Sequence, residues 1–298
     1  VGKSRLKSII RFIVRTLANI ILPISFRFNF WSSKWKLNES LPAGGTNGRI
    51  VVSLTSFPAR IGKLWMVIFS MLKQTKRPDL IILYLSKDQF PGGLKSLPRI
   101  LQRFNKLGLL NVFFKEDDLR SHKKYYYSFK AFKDDLIVTV DDDIFYPENT
   151  IQDLFELYMR FPNSICCQRA YKVSRTVEGG IGPYNDWRLL REGAGPSFDV
   201  FHTSGGGTLY RPKFFNDDIF DVNVFKELCF SADDIWLNFH ANRSGITTVK
   251  SNRYSEIIPV MQWNNVRLKE FNVYDGGNDK QLKALVKHYN VDERNFFK

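Results

Sequence analysis

Leu136-Ile137-Val138-Thr139-Val140-Asp141-Asp142-Asp143 is the stretch whose reading decides the fold. An unbroken short run of apolar and β-branched residues predicts a strand covered on both faces, as in the middle of a parallel sheet. Such a strand delivers its aspartates to a sheet edge, where hard oxygen ligands suit Mg²⁺ or Mn²⁺ and the ion in turn holds a diphosphate. Adjacent carboxylates repel one another and raise their own pKa values, so the cluster costs stability unless a cation neutralises it. A solvated turn after the strand is the competing reading. Three aspartates in a row behind so apolar a strand weigh against it, and they point first to nucleotide-sugar chemistry.

Outward from this motif the chain alternates between strand and helix patterns. Residues 49–55, 80–85 and 110–114 predict strands, and residues 62–73, 100–107 and 125–133 predict helices. Alternation of this kind makes a parallel sheet with helices on both faces, whose ligands collect beyond the carboxyl ends of the strands. After the aspartates, residues 150–161 predict a helix, 165–173 a strand, 203–212 a glycine run entering a strand, and 231–242 a helix headed by Asp233-Asp234. Residues 178–197 are rich in Gly and Pro and predict a long functional loop. No internal repeat or low-complexity tract interrupts this order.

Composition sets outer bounds. At 298 residues, 44% hydrophobic and 25% charged, the chain is ordinary globular material. Its formal net charge of +14 favours an anionic partner: a phosphorylated substrate, an acidic membrane or a nucleic acid. Three cysteines, Cys166, Cys167 and Cys229, make no disulfide framework and suit a reducing, cytoplasmic compartment.

Residues 3–24 alternate basic and apolar positions and predict an amphipathic helix, with Lys7, Arg11 and Arg15 opposite the apolar side. The uninterrupted apolar sequence from Leu17 to Phe26 is shorter than the roughly 20 residues of a span, so the expectation is a helix lying in an anionic membrane surface. A cleaved signal peptide fits poorly, and a helix packed on its own domain is the competing reading. Turn formers at residues 42–48 predict a linker, giving residues 1–48 as a membrane-associating segment and residues 49–298 as the catalytic domain.

The order of these pieces resembles the GT-A glycosyltransferases, in particular the inverting enzymes of glycosyltransferase family 2 and related bacterial polysaccharide enzymes. Ile50 to Phe57, with Gln74-Thr75 and Pro78 to Ile82, is similar to the strand, helix and strand that grip the nucleotide. Asp141-Asp142-Asp143 resembles the Asp-x-Asp metal motif, Gly205-Gly206-Gly207 the acceptor-side glycine strand, and Asp233-Asp234 the acidic pair opening the acceptor helix. The resemblance covers residues 49–245. It implies a GT-A, Rossmann-like fold with a donor half over residues 49–145 and an acceptor half over residues 146–298.

The same resemblance implies roles. Asp141 and Asp143 would hold Mn²⁺ or Mg²⁺, with His288, and less so His202, as the histidine completing the shell. Thr55, Ser56, Phe57, Arg60, Asp88, Lys123, Lys124, Asp141 and Asp142 would serve the donor, Asp142 by reaching its ribose. Asp234 would be the general base and Asp233 a helix cap or acceptor ligand, with Gly205, Gly206, Gly207 and Trp236 toward the acceptor. Trp187 and Trp263 are further candidates for stacking on sugars. The partners implied are a nucleotide-sugar donor, a saccharide or lipid-linked saccharide acceptor and a membrane surface. Leu83 to Ser86 lack the acidic cluster with which many relatives read the base, and Asp88 is the nearest substitute.

A sugar nucleotidyltransferase is the rival enzyme reading, but it calls for a Gly-rich, Arg-containing loop where Ser53 to Pro58 stands. A basic nucleic-acid-binding protein is the rival without chemistry, and no nucleic-acid motif supports it.

Overall fold

The computed structural model describes residues 2–32, 48–253, 257–261 and 276–298. The expected linker at residues 42–47 and Trp263 lie outside them. Helix α1 (Gly2–Ser32) comes first. Then β1 (Ile50–Thr55), α2 (Leu64–Leu72), β2 (Leu80–Ser86), α3 (Arg99–Lys106), β3 (Asn111–Lys115), α4 (Lys123–Ala131) and β4 (Leu136–Val140) alternate as the periodicity predicts. Next are β5 (Ile144–Phe145), α5 (Thr150–Arg160), β6 (Ile165–Cys167), β7 (Ala170–Lys172), β8 (Arg188–Leu189), β9 (Ala194–Ser197), β10 (Val200–His202) and β11 (Gly206–Tyr210). The remainder is α6 (Val222–Leu228), α7 (Asp233–Arg243), β12 (Thr248–Lys250), β13 (Ile258–Pro259) and α8 (Gly277–His288).

The central sheet has eight strands in the order β3-β2-β1-β4-β11-β6-β12-β9. From β3 to β4 neighbours are parallel, β11 runs antiparallel to both β4 and β6, and β12 is again parallel to β6. Side chains of successive strand residues point to opposite faces. Val52, Leu54, Leu83, Val138 and Val140 therefore join one core with α2, α3 and α5, while Val51, Ile82, Tyr84 and Ile137 join a second with α4, α6, α7 and α8. A sheet between two helical layers explains why β4 is apolar along its whole length.

Two expectations need correction. The strand expected over residues 165–173 divides: β6 stays in the large sheet, while β7 crosses to a three-stranded sheet, β10-β7-β8. Polar Gln168 and Arg169 stand at the crossing, where the Gln168 N–H bonds the Gly207 carbonyl. The N-terminal helix is also longer than its pattern suggested, running through Pro23 for 31 residues. Its stretch Ile9–Phe28, with mean hydropathy 1.7, is long and apolar enough by length and composition to cross a membrane. One stripe faces the domain: the Phe26 ring stacks on Phe69 at 4.4 Å, and Asn19 bonds the Pro259 carbonyl and the Met261 N–H. Arg11 and Arg15, both exposed, continue this stripe and line a groove against Pro147 and Ile257.

Candidate active site

β4 ends at Val140, and the three aspartates turn outward at the sheet's carboxyl edge, each into a different environment. Asp142 is buried, accepting bonds from the Ser56 hydroxyl at 2.6 Å and Arg60 at 2.8 Å. It is thus an anchor for the loop after β1, which corrects its assignment to a ribose. Asp141 and Asp143 keep 40% and 31% of their side chains exposed. Burial and the neighbouring Asp141 charge push Asp143 up to about 6, despite the Arg60 guanidinium 3.0 Å away.

Asp141 is seated by elements distant in sequence. Its N–H donates to the Tyr146 hydroxyl, which donates in turn to the Gly205 carbonyl. A β-carbon on Gly205 would stand 1.8 Å from the Asp141 carboxylate, so only glycine leaves that carboxylate its place. Gly207 has φ +90° at a bulge between β11 and β4. These glycines therefore shape the acidic edge, and only Gly206 reaches the surface, which corrects the expectation that all three face an acceptor. Gly205→Ala should displace Asp141 and cut divalent-ion affinity at least tenfold with little change in secondary structure. Mn²⁺ titration checks this, and unchanged affinity would mean that Asp141 has room to move.

The second acidic group enters from α7. Ala232 occupies the N-cap position without a side-chain bond, so Asp233 and Asp234 lie in the first turn rather than capping it. Asp233 is buried, with Lys124 at 3.0 Å and the Ser204 hydroxyl at 2.7 Å from the same oxygen. Although burial opposes ionisation, Lys124 leads the interactions that hold Asp233 down at about 2. Asp234 accepts the Ser204 N–H at 2.6 Å and is pushed up to about 7, first by burial and then by Asp233. The two carboxylates thus separate into a permanent anion and a group poised to exchange a proton near neutral pH.

Lys124 joins the two acidic groups. Its ammonium is 2.8 Å from Asp141 and 3.0 Å from Asp233, and only 4% of the side chain is exposed. Burial alone would lower its pKa, but Asp141, Asp233 and Asp234 hold it above the ordinary lysine value. The sequence reading puts Lys124 among the donor residues, and the structure sets its ammonium between the two acidic groups. Ser204, Tyr146 and Arg169 were not legible as site residues. Ser204 adjoins the glycine run, and that adjacency was the one available signal.

The other sequence candidates divide. Thr55 bonds the Tyr84 carbonyl at the end of β1, Phe57 lies under the Arg60 guanidinium at 5.4 Å, and Asp88 is exposed just beyond β2. All three stay at the carboxyl edge. Lys123 is buried against Asp118 rather than the aspartates, because it begins α4 facing the loop after β3. Trp236 is fully buried with its indole N–H on the Ile219 carbonyl, so it packs the core instead of facing the cleft. Trp187 is also buried, donating to the Gly182 carbonyl.

His202 is fully buried and held at about 3 by desolvation. His288 ends α8 against Tyr289, which packs on Phe239 and His240 toward the far end of α7, so it is not brought to the aspartates. Among the described residues no three His, Cys, Asp or Glu side chains form a ready metal cage. Two part-exposed carboxylates that repel each other still fit Mg²⁺ or Mn²⁺, which take one or two carboxylates and complete the shell with water and substrate phosphate.

No protein-family model matches the sequence, and no curated protein does. Among solved structures, the chain is similar to the mannosyltransferase PcManGT from Pyrobaculum calidifontis, solved in complex with GDP-Man and Mn²⁺. The likeness has a TM-score of 0.53 at 13% identity and covers 94% of this chain and 75% of that one. At that identity what is shared is the fold: the GT-A, Rossmann-like arrangement of a mostly parallel sheet between helical layers.

Proposed function

We propose that this protein is a metal-dependent, inverting glycosyltransferase, moving a sugar from a nucleotide-diphosphate donor to a saccharide or lipid-linked saccharide acceptor. The observation that carries it is the pairing at one sheet edge of a part-exposed carboxylate pair with a half-buried aspartate at about 7. The first suits a cation on a diphosphate and the second suits deprotonation of an acceptor hydroxyl. Asp141 and Asp143 would hold Mn²⁺ or Mg²⁺, which when bound supplies Lewis-acid stabilisation to the departing diphosphate. Asp234 takes the acceptor proton, Asp233 and Lys124 keep it correctly charged and placed, and Arg60 adds positive charge beside the phosphates. A single base opposite the leaving group gives inversion.

The setting we propose is bacterial surface polysaccharide synthesis by a relative of glycosyltransferase family 2, at the cytoplasmic face of the membrane. α1 supports that location, since its outer side exposes Ile9, Phe12, Ile13, Leu17, Ile20 and Ile24. We assign Lys124 and Arg60 to the substrate and the α1 arginines to the membrane side, and nucleic acid is not among the proposed partners. The nucleotidyltransferase alternative is disfavoured by Ser56, which is tied to Asp142 where that class needs a mobile phosphate loop.

A panel of nucleotide sugars, beginning with GDP-mannose, tests the reading without knowledge of the acceptor. One donor should raise Tm and undergo slow hydrolysis only with Mn²⁺ or Mg²⁺, and EDTA should abolish both effects. Stabilisation by no donor, or by nucleoside triphosphates in preference to nucleotide sugars, would count against it.

A further inference from the structure

The groove under α1 adjoins the segments that flank the acidic edge. It encloses about 320 Å³ between Ile10, Arg11, Val14 and Arg15 on one wall and Pro147 and Ile257 on the other. Pro147 and Ile257 also line a smaller cavity of about 30 Å³ that reaches Gly206 and Arg169. Both shared walls are joined to the aspartates through short links. Pro147 follows Tyr146, whose hydroxyl receives the Asp141 N–H, and the Val260 N–H of the β13 segment bonds the Asp143 carbonyl. The groove and the acidic edge are thus neighbours, linked through β5 and the β13 segment.

The chemistry of the groove is uneven. Around α1, at 100° per residue, the exposed Ile9, Phe12, Ile13, Leu17, Ile20 and Ile24 share one broad apolar arc, with Arg11 and Arg15 opposite, one turn apart. An apolar arc of this breadth belongs in lipid, and it carries the groove to the boundary between hydrocarbon and water. Two arginines lining the groove there, beside apolar Ile10, Val14, Pro147 and Ile257, complement an anionic group attached to a hydrocarbon chain. Guanidinium matches phosphate oxygens in a two-pronged geometry, which a neutral sugar does not need.

We propose that this groove seats the phosphate of a lipid-linked acceptor, with Arg11 and Arg15 on the phosphate, the hydrocarbon chain beside the outer arc of α1, and the saccharide directed past Gly206 and Arg169 to Asp234. The inference rests on the glycosyltransferase reading and deepens it: α1 is part of the acceptor site as well as an attachment to the membrane. The donor enters from the other end, along β1 and β2, so the two substrates do not compete for the groove.

Flotation with phosphatidylcholine vesicles tests it. One set carries a polyprenyl monophosphate, and the other carries phosphatidylglycerol at equal surface charge. The full chain should bind the polyprenyl phosphate vesicles about tenfold more tightly. Arg11→Gln/Arg15→Gln, with both changes at exposed positions, should melt like the parent protein and bind the two vesicle types alike. Equal binding of both vesicles by the parent protein, or a preference that survives in the double variant, would overturn the proposal. Donor hydrolysis by the parent protein is read separately: its absence would sink the glycosyltransferase reading while leaving lipid-phosphate binding by the groove to stand or fall on the vesicles.

Discussion

Asp234→Asn is expected to lower turnover by a factor on the order of 10² to 10⁴ while nucleotide-sugar binding stays near the parent value, since the change removes a proton acceptor and leaves the metal carboxylates in place. The Ser204 N–H still finds an oxygen in asparagine, so the start of α7 keeps its bond to the glycine strand. The pH dependence has a definite sign. A base held at about 7 is protonated at lower pH, so kcat/KM of the parent should rise through about 7, and the variant's residual activity should lack that step. Stability moves the other way. Asp234 rises from an ordinary 3.8 to about 7 on folding, so the folded chain binds this proton more tightly than the unfolded one. Its contribution is therefore absent well below 3.8, turns destabilising as pH climbs between the two values, and reaches its full penalty above about 7. Asp234→Asn should accordingly raise Tm at about pH 8 and leave it little changed at about pH 3. Near-normal turnover would remove Asp234 from the chemistry and turn attention to Asp233. A lowered Tm at the higher pH would show that its carboxylate is stabilising.

The donor half was legible because β1, β2 and β4 are buried on both faces, so apolar runs bounded by turn residues mark them without tertiary information. The acidic edge was legible for a related reason, since carboxylates placed directly after a buried strand have few bland explanations. Residues 165–173 were misread because a strand that changes sheets keeps the same apolar pattern on either side of the crossing. The burial of Lys124 between two acidic groups was not legible, because it depends on partners that arrive from the end of β4 and from α7, far off in the chain. Trp236 was placed at the acceptor because it adjoins Asp234, yet adjacent residues on a helix face different ways and this one faces Ile219. The glycine run shows the limit most directly. Its composition says that a side chain is excluded, and only the Asp141 carboxylate pressed against Gly205 says by what.

Asp143→Ala is expected to abolish transfer and metal-dependent donor binding with the fold intact. Loss of one of two protein ligands from an ion that stabilises a leaving diphosphate by several kcal/mol corresponds to a fall of about 10³-fold or more in rate. The fold should survive because what Asp143 gives the surrounding structure is mostly backbone: its carbonyl accepts the Val260 N–H, which alanine preserves. Arg60, which spans Asp142 and Asp143, keeps Asp142 as its partner. Removal of the carboxylate also relieves its repulsion with Asp141, the second cause of its raised pKa after burial. Circular dichroism and a melt establish that the variant is folded, and calorimetric titration with a nucleotide diphosphate, with and without Mn²⁺, reads the site. In the parent protein the diphosphate should bind tightly only with metal present, whereas in the variant the two titrations should coincide at the weaker value. Donor affinity unchanged by both the substitution and EDTA would sink the metal assignment. Arg60 and Lys124 would then be left as the charges facing the diphosphate, and the paired aspartates would become the means of holding those two cations at the sheet edge.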